Sequence, residues 1–242
     1  MSTPDHARLF AALDATWPAA EFRRLGPWTL RRGDGGGKRV SAATAEGAVT
    51  GDDIDRAESA MRDMGQAPLF MIRRGDTALD GLLAERGYAV VDPVHVFLAP
   101  VATVAAAAPD PMACFTVETP LAIMRDMWAA GGIGPERLAV MARAQGPRTC
   151  LFARTHDRPA GVGFVAIHED IAMLHALEVP EAFRRRGAAR NILGRAAQWA
   201  QDHDAAWFSA VTTGENLPAQ RLFSGLGLRS VDNYHYRTKQ SG

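Results

Sequence analysis

The chain has 242 residues, 47% of them hydrophobic, enough to bury one large core or two small ones. Its 27 basic residues balance 27 acidic ones, so the concentrated positive surface that a nucleic acid requires is absent, and no nucleic-acid partner is expected. No apolar run approaches the ~20 residues that span a bilayer, and the opening MSTPDHARLF has no signal-like apolar core, which argues against a membrane partner and for a cytoplasmic location.

In chain order, the pattern predicts a helix over 5–15, then a hairpin whose strands, 28–32 and 38–43, are joined by Gly33-Asp34-Gly35-Gly36-Gly37. A helix over 52–64 follows, with Asp52 or Asp53 suited to cap it, then a strand over 69–73, a helix over 77–86 and a strand over 88–98. The stretch Pro100 to Pro111 is rich in small residues and bracketed by prolines, and reads as a linker. Beyond it come helices over 121–130 and 135–144, three strands over 149–155, 161–168 and 171–179 in an antiparallel meander, a helix over 188–202, a strand over 206–212, a helix over 218–226 and a final strand over 228–237. Cys114 and Cys150 have neither metal nor disulfide spacing and read as reduced thiols.

The two halves repeat. Residues 69–97 align without a gap on 209–237, with Leu82, Gly87, Val91, Asp92 and His95 falling on Leu222, Gly227, Val231, Asp232 and His235, and Asp76 on Asn216. The shared order of strand, polar turn, helix, glycine and strand points to a duplicated α/β unit. The expected organisation is a first domain over 1–100, a linker over 101–111 and a second domain over 112–242.

The segment Arg184-Arg185-Arg186-Gly187-Ala188-Ala189 lies between a strand and a helix. The first amides of a helix have no intrahelical acceptors and carry the positive end of its dipole, so they favour a phosphate above the helix start. Gly187 allows close backbone approach, Ala188 and Ala189 keep bulk away, and the arginines add charge.

This segment resembles the pyrophosphate turn of the GNAT N-acetyltransferase superfamily, Gln/Arg-x-x-Gly-x-Gly/Ala after a strand ending Leu-x-Val-x-Pro or similar. Arg184, Gly187 and Ala189 fill the signature, and Leu177-Glu178-Val179-Pro180 ends the strand. Further on, Asn216, Ala219, Leu222 and Phe223 followed by Gly227-Leu228 are similar to the family's second motif, Asn-x-x-Ala-x-x-Leu-Tyr then Gly-Phe. The resemblance implies an α/β (α+β) tandem fold, each half a mixed, mostly antiparallel sheet flanked by helices. It implies a single co-substrate, acetyl-CoA, and an amine acceptor, without a metal. Leu177 and Val179 would pair through their backbones with the pantetheine arm. Arg184, Arg185, Arg186, Gly187, Ala188, Ala189 and Arg190 would hold the pyrophosphate, and Asn216, with Ala219 and Phe223 of the same motif, would line the cofactor. No such turn occurs near 44–51, so the first half reads as a degenerate copy that supports the acceptor site, with Trp28 among the residues that would close it.

Acetyl transfer also needs proton acceptors and donors. His175 stands where arylalkylamine N-acetyltransferases resemble this strand and carry a histidine that helps remove the amine proton; the bland alternative is a strand histidine bonded to its surroundings. The tyrosine that often protonates the leaving thiolate is replaced by Phe223, which leaves Tyr234 and Tyr236 as substitutes or as packed strand residues. By strand alternation Glu178 faces away from His175, towards solvent or an ion pair, with a cationic acceptor as the alternative. The run Gly33 to Lys38 is one residue short of a nucleotide P-loop, lacks its Ser/Thr and joins two strands, so it reads as a hairpin tip. Gly131-Gly132-Ile133-Gly134 reads as a gate beside the acceptor. The expected activity is N-acetylation of an unidentified primary amine by a monomer or weak homodimer, with a non-catalytic acyl-CoA-binding module as the alternative.

Overall fold

Local sequence sets most elements. In the computed structural model, which describes residues 2–107 and 109–239, Asp5 caps helix α1 (His6–Thr16) by accepting from the Arg8 amide. Strands β1 (Glu21–Leu25), β2 (Trp28–Arg32) and β3 (Thr44–Ala45) precede helix α2 (Gly51–Asp63), strand β4 (Leu69–Arg73), helix α3 (Thr77–Glu85) and strand β5 (Ala89–Pro100). Helix α4 (Val101–Ala105), strand β6 (Cys114–Val117), helices α5 (Ala122–Ala130) and α6 (Pro135–Arg143), and strands β7 (Arg148–Thr155), β8 (Arg158–His168) and β9 (Ile171–Glu178) come next. The chain closes with α7 (Ala188–Gln201), β10 (Trp207–Thr213), α8 (Leu217–Gly225) and β11 (Arg229–Thr238). The fold class is mixed α/β, with mostly antiparallel strands flanked by helices.

Two compact units form, one from residues 2–18, 96–212 and 216–231, the other from 19–95, 213–215 and 232–239. In the first, β7, β8 and β9 make the expected antiparallel meander, β6 adds to β7, and β10 lies parallel to β9. One face of this sheet packs Leu151, Val165, Ala172 and Leu174 against Ile192, Leu193, Ala196 and Ala197 of α7. The alternate residues Phe164 and His175 meet Trp17, just after α1. Coverage on both faces explains why β8 is buried along nearly its whole length and reads as an unbroken apolar run. In the second unit, β1, β2 and β3 form an antiparallel sheet, and Trp28, Ile54, Met61, Phe70, Leu83 and Tyr88 make the core.

Three sequence expectations change. The hairpin lies upstream, between β1 and β2, and the glycine-rich run leads into a single 3-10 turn, Lys38–Val40. Every residue of β1 except its last is exposed, so it carries no apolar alternation to announce it. The stretch expected to be a linker begins with α4, whose Val101, Val104 and Ala105 form an i, i+3, i+4 stripe buried in the first unit's core; Ala108 lies outside the described residues. The final strands also pair out of chain order. β11 pairs antiparallel with β4, Tyr234 opposite Arg73 and Tyr236 opposite Met71, while β5 lies beside β10. This pairing makes the compact units discontinuous in sequence.

Candidate active site

The turn between β9 and α7 is built for an anion. Gly187 is the N-cap of α7 with φ 87, a left-handed conformation that glycine adopts without strain, and Arg185 also has a positive φ of 63. A Cβ at Gly187 would meet nothing within 4 Å, so the glycine answers to backbone conformation and leaves the helix start uncovered. No side chain caps α7 and no acidic residue stands in its first turn. Arg185, Arg186 and Arg190 are exposed, and Ala188 is buried beneath the turn. The helix dipole and the first amides thus lie uncovered, with these cations close by in the chain. Arg184 differs from its neighbours: its Nε donates to the Val179 carbonyl at 3.0 Å, and its guanidinium stands 4.0 Å from the Glu178 carboxylate. It pins the strand end, and it occupies one lone pair of a carbonyl expected to meet the pantetheine arm.

Upstream, the sheet opens. The register of β9 with β10 runs from Ile171 opposite Trp207 to Leu174 opposite Ala210 and stops there, although both strands continue. The edge of β9 from His175 to Glu178 thus turns towards the gap and not towards a neighbouring strand on that side, with Leu177 and Val179 half-buried along it. A backbone edge of this kind offers hydrogen bonds to an extended amide-bearing ligand.

A β-bulge adds a feature that alternation misses. Val162 pairs with Glu178 but Phe164 pairs with His175, so β9 holds one extra residue, and Ala176 has φ 49. The insertion reverses the parity, and His175 and Glu178 share a face that a regular strand would have split between two. Trp128 Nε1 donates to the Ala176 carbonyl at 2.8 Å and holds the bulge. Nothing in the one-dimensional pattern signals a bulge, because its extra residue is an ordinary alanine.

His175 is 5% exposed, its Nε2 is 2.8 Å from Thr16 Oγ1, and its ring lies 5.1 Å from that of Trp17. The Thr16 hydroxyl gives its proton to the Ala12 carbonyl at 2.6 Å, so it accepts from His175, which fixes the Nε2–H tautomer. The imidazole is a positioned group in a packed setting and not a solvent-exchanging one. Thr16 and Trp17 carry no motif and were not legible as its partners.

Asn216 is exposed and caps α8, its side chain accepting from the Ala219 amide at 3.2 Å; Ala219 is half-buried. Phe223 is 3% exposed, with its ring 5.4 Å from that of Phe97 in an edge-on contact, so the family's tyrosine position is here a core residue. Tyr234 and Tyr236 point inward on β11 in the second unit, their rings 5.6 Å apart and the Arg39 guanidinium beside them. Burial pushes the Tyr236 phenol well above the usual tyrosine range despite Arg39, making it a weaker acid than a solvated phenol. Both phenols are buried, which suits packing better than proton delivery. Trp28, expected to close the acceptor site, is 1% exposed and gives its indole proton to the Asp53 carbonyl at 2.9 Å, a core role. The expected gate at Gly131 to Gly134 is anchored by Ile133, which is 8% exposed. Both cysteines are buried, and burial pushes each thiol up to about 12, so neither is a thiolate at neutral pH. Among the described residues there is no group of three His, Cys, Asp or Glu side chains able to hold a metal, and no helix long and apolar enough to cross a membrane.

Residues 115–228 match the family model described as Acetyltransferase (GNAT) family. They form a GNAT-family acetyltransferase domain. The chain as a whole is 26% identical over 238 residues to a Bacillus subtilis (strain 168) protein described as an uncharacterized N-acetyltransferase, YobR, covering 93% of this chain and 95% of that protein. Among solved structures, a GCN5-related N-acetyltransferase from Kribbella flavida superposes with a TM-score of 0.73 at 16% identity, covering 100% of this chain and 98% of that one. A tandem GNAT protein from the clavulanic acid biosynthesis pathway superposes with a TM-score of 0.63 at 12% identity, over 83% of this chain and 75% of that one. At these identities the two structures bear on the fold alone. The GNAT domain contains both the turn before α7 and the open edge of β9.

Proposed function

We propose that this protein moves an acetyl group from acetyl-CoA to a primary amine. The observation that carries the reading is the uncapped, arginine-flanked start of α7 directly after a strand whose edge leaves its neighbour at Leu174. When bound, acetyl-CoA supplies the activated thioester carbonyl. The amides of Ala188, Ala189 and Arg190, with Arg185 and Arg186, hold its pyrophosphate. The edge of β9 at Leu177 pairs with the pantetheine arm, and the polar end of α8 at Asn216 lies along the same ligand. His175, fixed by Thr16, sets the shape and polarity of the face next to the bulge, and its part in removing the amine proton is the reading's catalytic component. If His175→Ala keeps the wild-type rate and pH profile with a good acceptor, that component fails while the donor site stands.

The chain is further proposed to descend from a duplication. Helices α3 and α8 occupy equivalent positions in the two repeats, Gly87 and Gly227 have φ 79 and 86, and the bonds Tyr88 N to Leu83 O and Leu228 N to Phe223 O close the helices alike at 3.0 and 3.1 Å. The likeness to a tandem GNAT protein supports this reading.

A second reading, a non-catalytic acyl-CoA-binding module, is favoured by the buried Phe223, which provides no hydroxyl where relatives use one. Thermal-shift binding of acetyl-CoA combined with free-thiol release over a panel of primary amines separates the two. Binding with amine-stimulated release is expected. Binding without release across the panel supports the module, and no binding removes both.

A further inference from the structure

The bulge brings Glu178 into a setting that sequence alternation did not foresee. Its side chain lies over Gly131, the C-cap of α5, so closely that a methyl group added there would stand 2.5 Å from Cγ and Cδ. A side chain at this point would have to displace the flexible end of Glu178. The turn after α5 pairs the Met127, Trp128 and Ala129 carbonyls, but the negative pole of the helix remains, and Glu178 adds a full negative charge to it. A carboxylate in that position calls for a cation. Its side chain is 20% exposed, and the cation within reach is Arg184, 61% exposed and 4.0 Å away. Arg184 also belongs to the arginine turn before α7, where the pyrophosphate is proposed to sit. Its Nε donates to the Val179 carbonyl, and its guanidinium has one permanent anion nearby, Glu178, while a ligand would supply a second.

We propose that Arg184 is shared: without donor it neutralises Glu178, and the donor's pyrophosphate draws it away, leaving Glu178 to bind a cationic amine acceptor. The exposed, 4.0 Å pair with Glu178 is a weak one, whereas a pyrophosphate offers two charges and several acceptor oxygens to a guanidinium, so the exchange runs towards the ligand. Glu178 is then a specificity residue for acceptors that carry positive charge, and acceptor binding follows donor binding. The inference rests on the reading of the α7 turn as the pyrophosphate site.

The test is a double-mutant cycle on CoA affinity, measured by calorimetry at low ionic strength with the full chain, using Glu178→Gln, Arg184→Gln and the pair. If Arg184 is shared, Glu178→Gln releases it and tightens CoA by about two- to fivefold, the size expected of an exposed ion pair, and the same change in the Arg184→Gln background has no effect. Equal tightening in both backgrounds means a general charge effect and overturns the sharing, as does unchanged or weaker binding in the first background. Failure of the underlying reading is distinguishable, because wild-type protein would then bind no CoA at all. The acceptor half is read separately with the thiol-release assay. Glu178→Gln is expected to raise KM for amines bearing a second positive charge by about tenfold and to leave KM for monoamines within twofold. Equal changes for both classes overturn the assignment of Glu178 to cation binding.

Discussion

Helices α2 and α7 are each followed by a strand, a helix and a long strand, yet they begin in opposite ways. At α2, Thr50 accepts from the Asp53 amide, while the Asp53 carboxylate accepts from the Thr50 amide at 2.9 Å and from its hydroxyl at 2.6 Å. Asp52 adds a second acid in the first turn, and Arg56 bonds Asp53 from the next turn. At α7 there is glycine, alanine, no acid and three consecutive arginines before the cap. A helix start has one positive pole and a few orphan amides, and they can serve the protein's own carboxylate or a ligand's phosphate, not both. Helix α2 closes that choice internally and α7 leaves it open. The lesson is that a helix in this order of elements can satisfy its own positive pole. A capping box suffices.

The comparison can be broken by writing the features of one start into the other. Ala189→Asp with Arg190→Asp gives α7 acids at the positions that Asp52 and Asp53 occupy in α2. CoA affinity is expected to fall by about a hundredfold or more through repulsion and a lost cation, with calorimetry as the measurement. Retained affinity would mean that the start of α7 does not carry the ligand.

Beneath their starts the two helices are alike, each anchored by a fully buried isoleucine, Ile54 in α2 and Ile192 in α7. Truncating either to alanine is expected to cost about 2–5 kcal/mol in denaturant unfolding, since each leaves a cavity. Gly187→Ala tests conformation alone. The added methyl meets open space, but φ 87 is left-handed, so a loss of about 1–2 kcal/mol is expected, with a correspondingly lower melting temperature. Thr50→Ala removes one half of the capping box at α2 and should cost about 1 kcal/mol while leaving CoA affinity unchanged.

The smallest effect is in acid. Hydrogen bonds from Thr50, by side chain and then backbone, and from Arg56 hold the Asp53 carboxyl down to about 2, below the ordinary 3.8. Its folded pKa is depressed, so its contribution to stability is complete above about pH 4 and is lost as pH falls towards 2. Asp53→Asn should therefore flatten that part of the stability profile, followed by circular dichroism. The first turn of α7 has no acid to titrate in the same window.

Much of the site could be read from the chain. The cap glycine, the small residues behind it and the arginines before it are local requirements of a helix start, and the order strand–turn–helix around them follows from periodicity. The meander and the long helix α7 were legible for the same reason, since β8 and the stripe of Ile192, Leu193, Ala196 and Ala197 each record a buried face. The expected linker misled because small residues hide a short apolar stripe, and β1 escaped because a strand exposed at all but its last residue has no stripe to show.

By itself, then, the sequence determined most of the helices and the meander strands, and which helix start is bare. Only the tertiary structure decided which strands pair, because the backbone contacts that place β11 beside β4 join residues far apart in the chain. It also decided the bulge at Ala176, which depends on how β9 matches β8 and on an indole from α5. That one extra residue puts Glu178 on the same face as His175.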